Sequence, residues 1–165
     1  MIPVFQTKFG PRNGNCMQAV VASLLELPLS EVPEFRGTES QDAWFDKYCD
    51  CLRSHGYEYD QILSNPRQLG GYGANMFEEI KDGKHSGIKG DFFYASVYSP
   101  GLFDRVQYIC NPLYRGPLRA VVIDRDFNII HDPHPHYQGV KQYPLHERIE
   151  YNGVIGVDIF KPIIK

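Results

Sequence analysis

Three short segments of this 165-residue chain stand out for side chains whose types and spacing could do chemistry. They are Gly14-Asn15-Cys16-Met17-Gln18-Ala19, Leu118-Arg119-Ala120-Val121-Val122 and His131-Asp132-Pro133-His134-Pro135-His136. Thiol chemistry runs through the thiolate, and the partial positive charge of a helix N-terminus favours an anion there. Cys16 meets that condition by pattern. Phe9 to Asn15 are mostly turn formers, and the residues after Cys16 are apolar at helical spacing: Met17, Val20, Val21, Leu24 and Leu25. Acyl transfer by a thiol needs a nucleophile, a base and a group that orients the base. Cys16 is the candidate nucleophile, His131 and His134 are candidate bases, and Asp132 is the candidate orienter. The backbone N–H of Cys16 is a natural oxyanion donor. Asn15, Asn13 and Gln6 could add a side-chain amide. Asn15 reads equally as a helix N-cap, and Gln6 and Asn13 as loop residues.

The same residue types suggest two other chemistries. His131, Asp132, His134 and His136 supply four potential metal ligands within six residues. So short a stretch, stiffened by two prolines, rarely closes a tetrahedron, so no metal and no other cofactor is expected. Arginine forks match phosphate oxygens and tyrosine rings stack on bases. Arg119, Arg115, His136 and Tyr137 are therefore candidates for holding a phosphorylated ligand, with Lys8, Arg12, Arg105 and Tyr114 in reserve. A rim ion pair from Arg119 to Asp124 or Asp126 is the competing structural assignment. Cys49 and Cys51 lie two apart on a predicted helix and so do not face each other. With Cys110, they read as small apolar packing residues.

These residues need elements to position them. The spacing predicts a helix over 16–27, stopped by Pro28, and a second over 41–55 with Trp44, Phe45, Tyr48 and Leu52 on one face and Gly56 as terminator. A strand is expected over 57–63. Residues 64–90 are glycine-rich and polar, and read as a surface loop insertion interrupted by a short helix around 75–80. Strands are expected over 91–98, 117–123, 127–132 and 154–160, with Asp124-Arg125-Asp126 turning a hairpin. Helices first and an antiparallel sheet after give an α+β fold, read as one domain over 1–165.

The pattern from Gly14 to Pro33 (GNC, then Gln18-Ala19, Ala22-Ser23-Leu24-Leu25, Leu27-Pro28-Leu29 and Glu31-Val32-Pro33) continues far downstream in Ala120-Val121-Val122 and His131-Asp132-Pro133-His134-Pro135. It resembles a family of small phage and bacterial proteins that look like papain-like, C39-like cysteine peptidases. The resemblance covers both ends of the chain and matches nothing over about 60–115. It implies a papain-like fold with helices packed on an antiparallel sheet, a peptide or other acyl substrate, and a host cytoplasm as the setting if the chain is phage-encoded. It also implies a catalytic histidine at the start of the strand motif, where this chain has Arg119. An arginine stays protonated well above neutral pH and is no general base. Two functions from different classes follow. One is a cysteine hydrolase or transferase acting on an amide, isopeptide or thioester, its proton taken by a histidine of 131–136. The other is a catalytically degenerate relative that sequesters a small phosphorylated, nucleotide-derived host immune signal. A host protein is a third class of partner.

Composition narrows the field further. Lys and Arg number 17 against 20 Asp and Glu, a net charge of −3, which gives no electrostatic case for duplex nucleic acid. No apolar run approaches the roughly 18–20 residues that span a bilayer. The first residues, Met1 to Gln6, lack a basic stretch followed by an apolar one, so a cytoplasmic protein is expected.

Overall fold

A computed structural model of the chain describes residues 1–10, 14–35, 40–64, 76–98, 118–137 and 153–164. Helix α1 (Cys16–Leu25) forms where the apolar spacing predicts it. Met17, Val20, Val21, Leu24 and Leu25 are all buried, and so are Ala19, Ala22 and Ser23, so the helix is central rather than superficial. It ends two residues before the predicted 27. Pro28 disfavours a helical Leu27, and Glu26 turns left-handed with φ 60°. Helix α2 (Gln41–Ser54) begins at Ser40, whose hydroxyl accepts the Ala43 N–H, and stops before Gly56 at φ 87°.

The five strands are β1 (Tyr57–Ser64), β2 (Phe93–Tyr98), β3 (Leu118–Ile123), β4 (Ile129–His131) and β5 (Val154–Pro162). They lie in the order β1-β5-β2-β3-β4, and every neighbouring pair is antiparallel. The helices and antiparallel sheet make the fold α+β. Because strand side chains alternate, the sheet sorts its apolar residues into two cores. Tyr94, Ala120, Val122 and Phe160 share one core with α1 and with Tyr48, Cys51 and Leu52 of α2. Phe93, Ala95, Val97, Val121, Ile123, Val154, Val157 and Ile159 belong to the other.

The second core draws in the short helix expected around 75–80 within the glycine-rich stretch 64–90. Within that stretch α3 (Met76–Lys81) buries Phe77 and Ile80 completely. Each such side chain contributes about 1.5–3 kcal/mol of burial. The turn after α3 is also held: Arg125 Nη1 donates to the carbonyls of Ile80 (2.5 Å) and His85 (3.1 Å), and its fork pairs with Asp91. The β3–β4 hairpin forms around Asp124-Arg125-Asp126, where it was expected. The Asp124 carboxylate accepts the N–H groups of Asp126 and Asn128. Phe127 takes φ 65° to bring its ring 4.9 Å from that of Phe77, so β4 is three residues long instead of six. Among the described residues, no helix is long and apolar enough to cross a membrane.

Candidate site at the head of the first helix

Cys16 is the first residue of α1, half-buried against the first core. Just before it, the Gly14 N–H donates to the Gly10 carbonyl at 2.9 Å. A Cβ on Gly14 would stand 2.6 Å from that oxygen, so only glycine fits there. Asn15 occupies the cap position, but its side chain makes no capping bond. Its Oδ1 instead accepts the N–H groups of Thr7 (3.0 Å) and Lys8 (2.9 Å), and its Nδ2 donates to Gln18 Oε1 at 2.9 Å. Gln18 passes the chain on, donating to the Leu29 and Val32 carbonyls. The N-terminal segment lies alongside and offers two N–H groups to a side chain that would otherwise cap the helix. Asn15 therefore ties the bend at residues 7 and 8 to α1. The other amide candidate, Gln6, is buried and donates to the Lys8 carbonyl at 3.1 Å. Thr7, Lys8, Asn15, Gln18, Leu29, Ser30 and Glu34 line an open cavity of about 440 Å³, with a Lys8–Glu34 ion pair of 2.5 Å at its edge.

Arg119 lies on β3, opposite Val97 of β2. Paired residues share a face of the sheet, and Val97 belongs to the second core. The Arg119 side chain thus leaves the strand on the face away from α1, which packs against β3 through Ala120 and Val122. It is not at a solvent rim and does not pair with Asp124 or Asp126. It is buried, and its Nε and Nη2 both donate to Asp132 Oδ2, with Nε at 2.9 Å. Asp132 is buried too, and its Oδ1 accepts the His134 N–H at 3.0 Å.

The histidines are spoken for in different ways. His131 Nε2 donates to the Val4 carbonyl at 2.8 Å, with the ring edge-on to Phe5. His134 packs against Phe9, with ring centroids 5.0 Å apart. Burial lowers its pKa, with Asp132 opposing, so the ring is neutral at pH 7. His134 Nδ1 accepts the His136 N–H at 3.3 Å. A neutral imidazole with an accepting Nδ1 carries its proton on Nε2. His134 thus presents a donor at Nε2, where a general base needs a lone pair. His136 is exposed. Asn13, Arg12, Arg105, Cys110, Tyr114 and Arg115 lie outside the described residues, as does the side chain of Tyr137. No group of three or more metal-ligating side chains occurs among the described residues.

The structure thus gathers Arg119, Asp132 and His134 into one polar cluster, and holds Cys16 on a helix packed against the opposite face of β3. Two participants were not read from the sequence. Gln18 belonged to the GNC-x-Q-A pattern, but nothing there pointed to its bonds with Asn15, Leu29 and Val32. Phe9 stood before a turn, and only the docking of the N-terminal segment on residues 131–134, with the Gln6 N–H on the Pro133 carbonyl at 3.0 Å, brings it to His134. The chain matches no family model, no curated protein and no solved structure.

Proposed function

We propose that this chain is a non-hydrolytic relative of papain-like cysteine proteins, whose cleft at the head of α1 binds a small phosphorylated, nucleotide-derived ligand. The papain-like part rests on the order of elements: a cysteine at the head of a central helix, then an antiparallel sheet packed on that helix. The non-hydrolytic part rests on one observation, the buried Arg119–Asp132 pair. The carboxylate that would orient a catalytic histidine is committed to a guanidinium instead. The 440 Å³ cavity beside Asn15 is of the size that holds a small ligand. Lys8 stands at its edge, and His136 is exposed beside His134.

Two measurements on the purified protein test this. Fluorogenic peptide, isopeptide and thioester substrates should show no turnover that depends on Cys16. ADP-ribose and cyclic nucleotides, titrated by calorimetry, should include a binder. Its affinity should survive Cys16→Ala and fall with Lys8→Ala or His136→Ala. Turnover abolished by Cys16→Ala and by His134→Ala would instead establish the hydrolase.

A further inference from the structure

The segment Val154-Ile155-Gly156-Val157-Asp158-Ile159-Phe160 is apolar on both faces of β5 except at Asp158. This carboxyl is 8% exposed, and its side chain makes one hydrogen bond, from Tyr48 Oη at 2.8 Å. No ion pair involves it among the described residues. A carboxylate has about four acceptor positions, so the buried Asp158 leaves most of its capacity unused.

The groups facing it come from three elements. Tyr48 and Cys49 face it from α2, Tyr59 from β1 and Tyr94 from β2. Tyr94 is also its directly paired residue across the sheet. Farther out, Asp60 acts on Tyr59, and Asp46, Asp50 and Arg53 act on Cys49. Arg53 itself is bonded to Asp50 at 2.6 Å on the exposed side of α2. The immediate shell is therefore phenol, thiol and aromatic ring. The Tyr48 ring lies 5.3 Å from Phe35, 6.0 Å from Tyr94 and 6.1 Å from Phe160.

We propose that Asp158, buried beneath Tyr48, acts as a proton-operated latch on the seat of α2 against the sheet, closed while the carboxyl is neutral and loosened when it ionises, because the cost of burying the charge outweighs the stronger Tyr48 hydrogen bond. In the neutral form, carboxyl and phenol share one hydrogen bond inside an apolar shell, and nothing is left charged. In the ionised form a carboxylate sits among rings with a single donor, an arrangement that costs free energy until water reaches it. Water reaches it when α2 lifts, because Tyr48 covers it. Burial raises the Asp158 pKa to about 6, against the Tyr48 hydrogen bond, which lowers it. The native value is above the unfolded one. The stabilisation is therefore fully present below the unfolded value of 3.8 and is lost as pH rises through about 6. Tyr48, Tyr94 and Phe160 belong to the same core as Met17 and Val20 of α1, so loosening α2 also softens the seat of the helix that carries Cys16.

Hydrogen exchange of the intact chain at about pH 5 and about pH 7.5, corrected for intrinsic rates, tests the latch, with β3 amides as internal reference. Protection of residues 41–54 relative to β3 should fall about tenfold between the two, the change that one pKa unit of linkage produces. In Asp158→Asn, which cannot ionise, the ratio should stay constant. An equal fall in both proteins overturns the proposal, as does no fall in the parent. Should Asp158→Asn not fold, Tyr48→Phe decides. Losing the phenol removes the bond that favours the carboxylate and should move the transition to higher pH, and an unmoved midpoint overturns the latch.

Discussion

Two buried carboxylates, Asp132 and Asp158, sit in this small sheet in opposite electrostatic settings. Asp132, at the end of β4, is 2% exposed and receives two guanidinium bonds from Arg119 and a backbone N–H from His134. Asp158, in the middle of β5, is 8% exposed and receives one phenol. The first is a compensated charge, and the second is a carboxyl that burial drives toward neutrality. The difference shows what each can do. A paired charge fixes geometry and resists removal of either partner, whereas an acid without a cationic partner responds to pH. The carboxylate that the sequence offered as an orienter is held in the rigid scaffold. The residue able to change state near neutral pH lies instead between α2 and the sheet.

The contrast is sharpest in what happens when a partner is lost. Arg119→Met takes the guanidinium away from the buried Asp132 carboxylate, and stability measured by urea unfolding at pH 7 should fall by about 3–5 kcal/mol. The double variant Arg119→Met/Asp132→Leu should regain much of that loss, since a buried ion pair often exchanges for apolar packing at little net cost. A double variant as unstable as the single one would mean that the pair contributes more than mutual compensation. Asp158→Asn should act in the opposite direction. Raising an acid from 3.8 to about 6 corresponds to roughly 3 kcal/mol of stability forgone above pH 7. The variant should therefore be more stable than the parent at pH 8 by about 2–3 kcal/mol and similar to it near pH 4. Thermal unfolding at the two pH values checks this. Destabilisation at both would place Asp158 with Asp132 as a structural charge.

The head of α1 belongs with Asp132 in this division. Asn15 is 5% exposed and its amide makes four hydrogen bonds. Asn15→Ala strands the Thr7 and Lys8 N–H groups and should cost about 2 kcal/mol in urea. Residues 5–9 should lose exchange protection together, and with them the wall of the cavity. Asn15→Asp keeps the acceptor and loses the donor, so it should fall between the two. Full exchange protection of residues 7 and 8 in Asn15→Ala would show that the segment docks through other contacts.

How much of this was readable from the residues depends on whether a side chain's partner is local. The period of Met17, Val20, Val21 and Leu24 placed α1 within two residues. The Asp124 turn placed the hairpin, because both signals act within one element. That Arg119 could not serve as a base followed from its chemistry alone. Its partner did not follow: Asp132 is 13 residues away, and it comes within reach only because β3 and β4 pair with a register shift beyond Val122. Asn15 was misread for the same reason, since its cap role yields to a segment that folds back from residues 7 and 8. The short helix around 75–80 was expected, but a single i, i+3 apolar pair did not signal that Phe77 and Ile80 are members of the second core. Asp158 drew no notice as one residue of an expected strand, because its phenol partner is 110 residues away.

The smallest expected effect falls on the residue that first suggested chemistry. Cys16 is half-buried and contributes a partly exposed thiol to the edge of the first core. Cys16→Ala removes one sulfur atom from that edge, and surface-proximal changes of this kind stay within about 0.5–1 kcal/mol. Unfolding midpoints of parent and variant should therefore nearly coincide, and this is what makes the variant informative. Arg119→Met perturbs fold and function together, so a lost activity there has two explanations. Cys16→Ala leaves the scaffold in place, so any function it abolishes belongs to the thiol itself. If ligand affinity survives Cys16→Ala and collapses in Lys8→Ala, the cleft works through charge and shape. If both stability and affinity fell by more than 1 kcal/mol in Cys16→Ala, the thiol would be a structural member of the first core. Its place at the head of α1 would then reflect packing, and the division between a rigid α1 head and a pH-responsive α2 would gain one more scaffold residue.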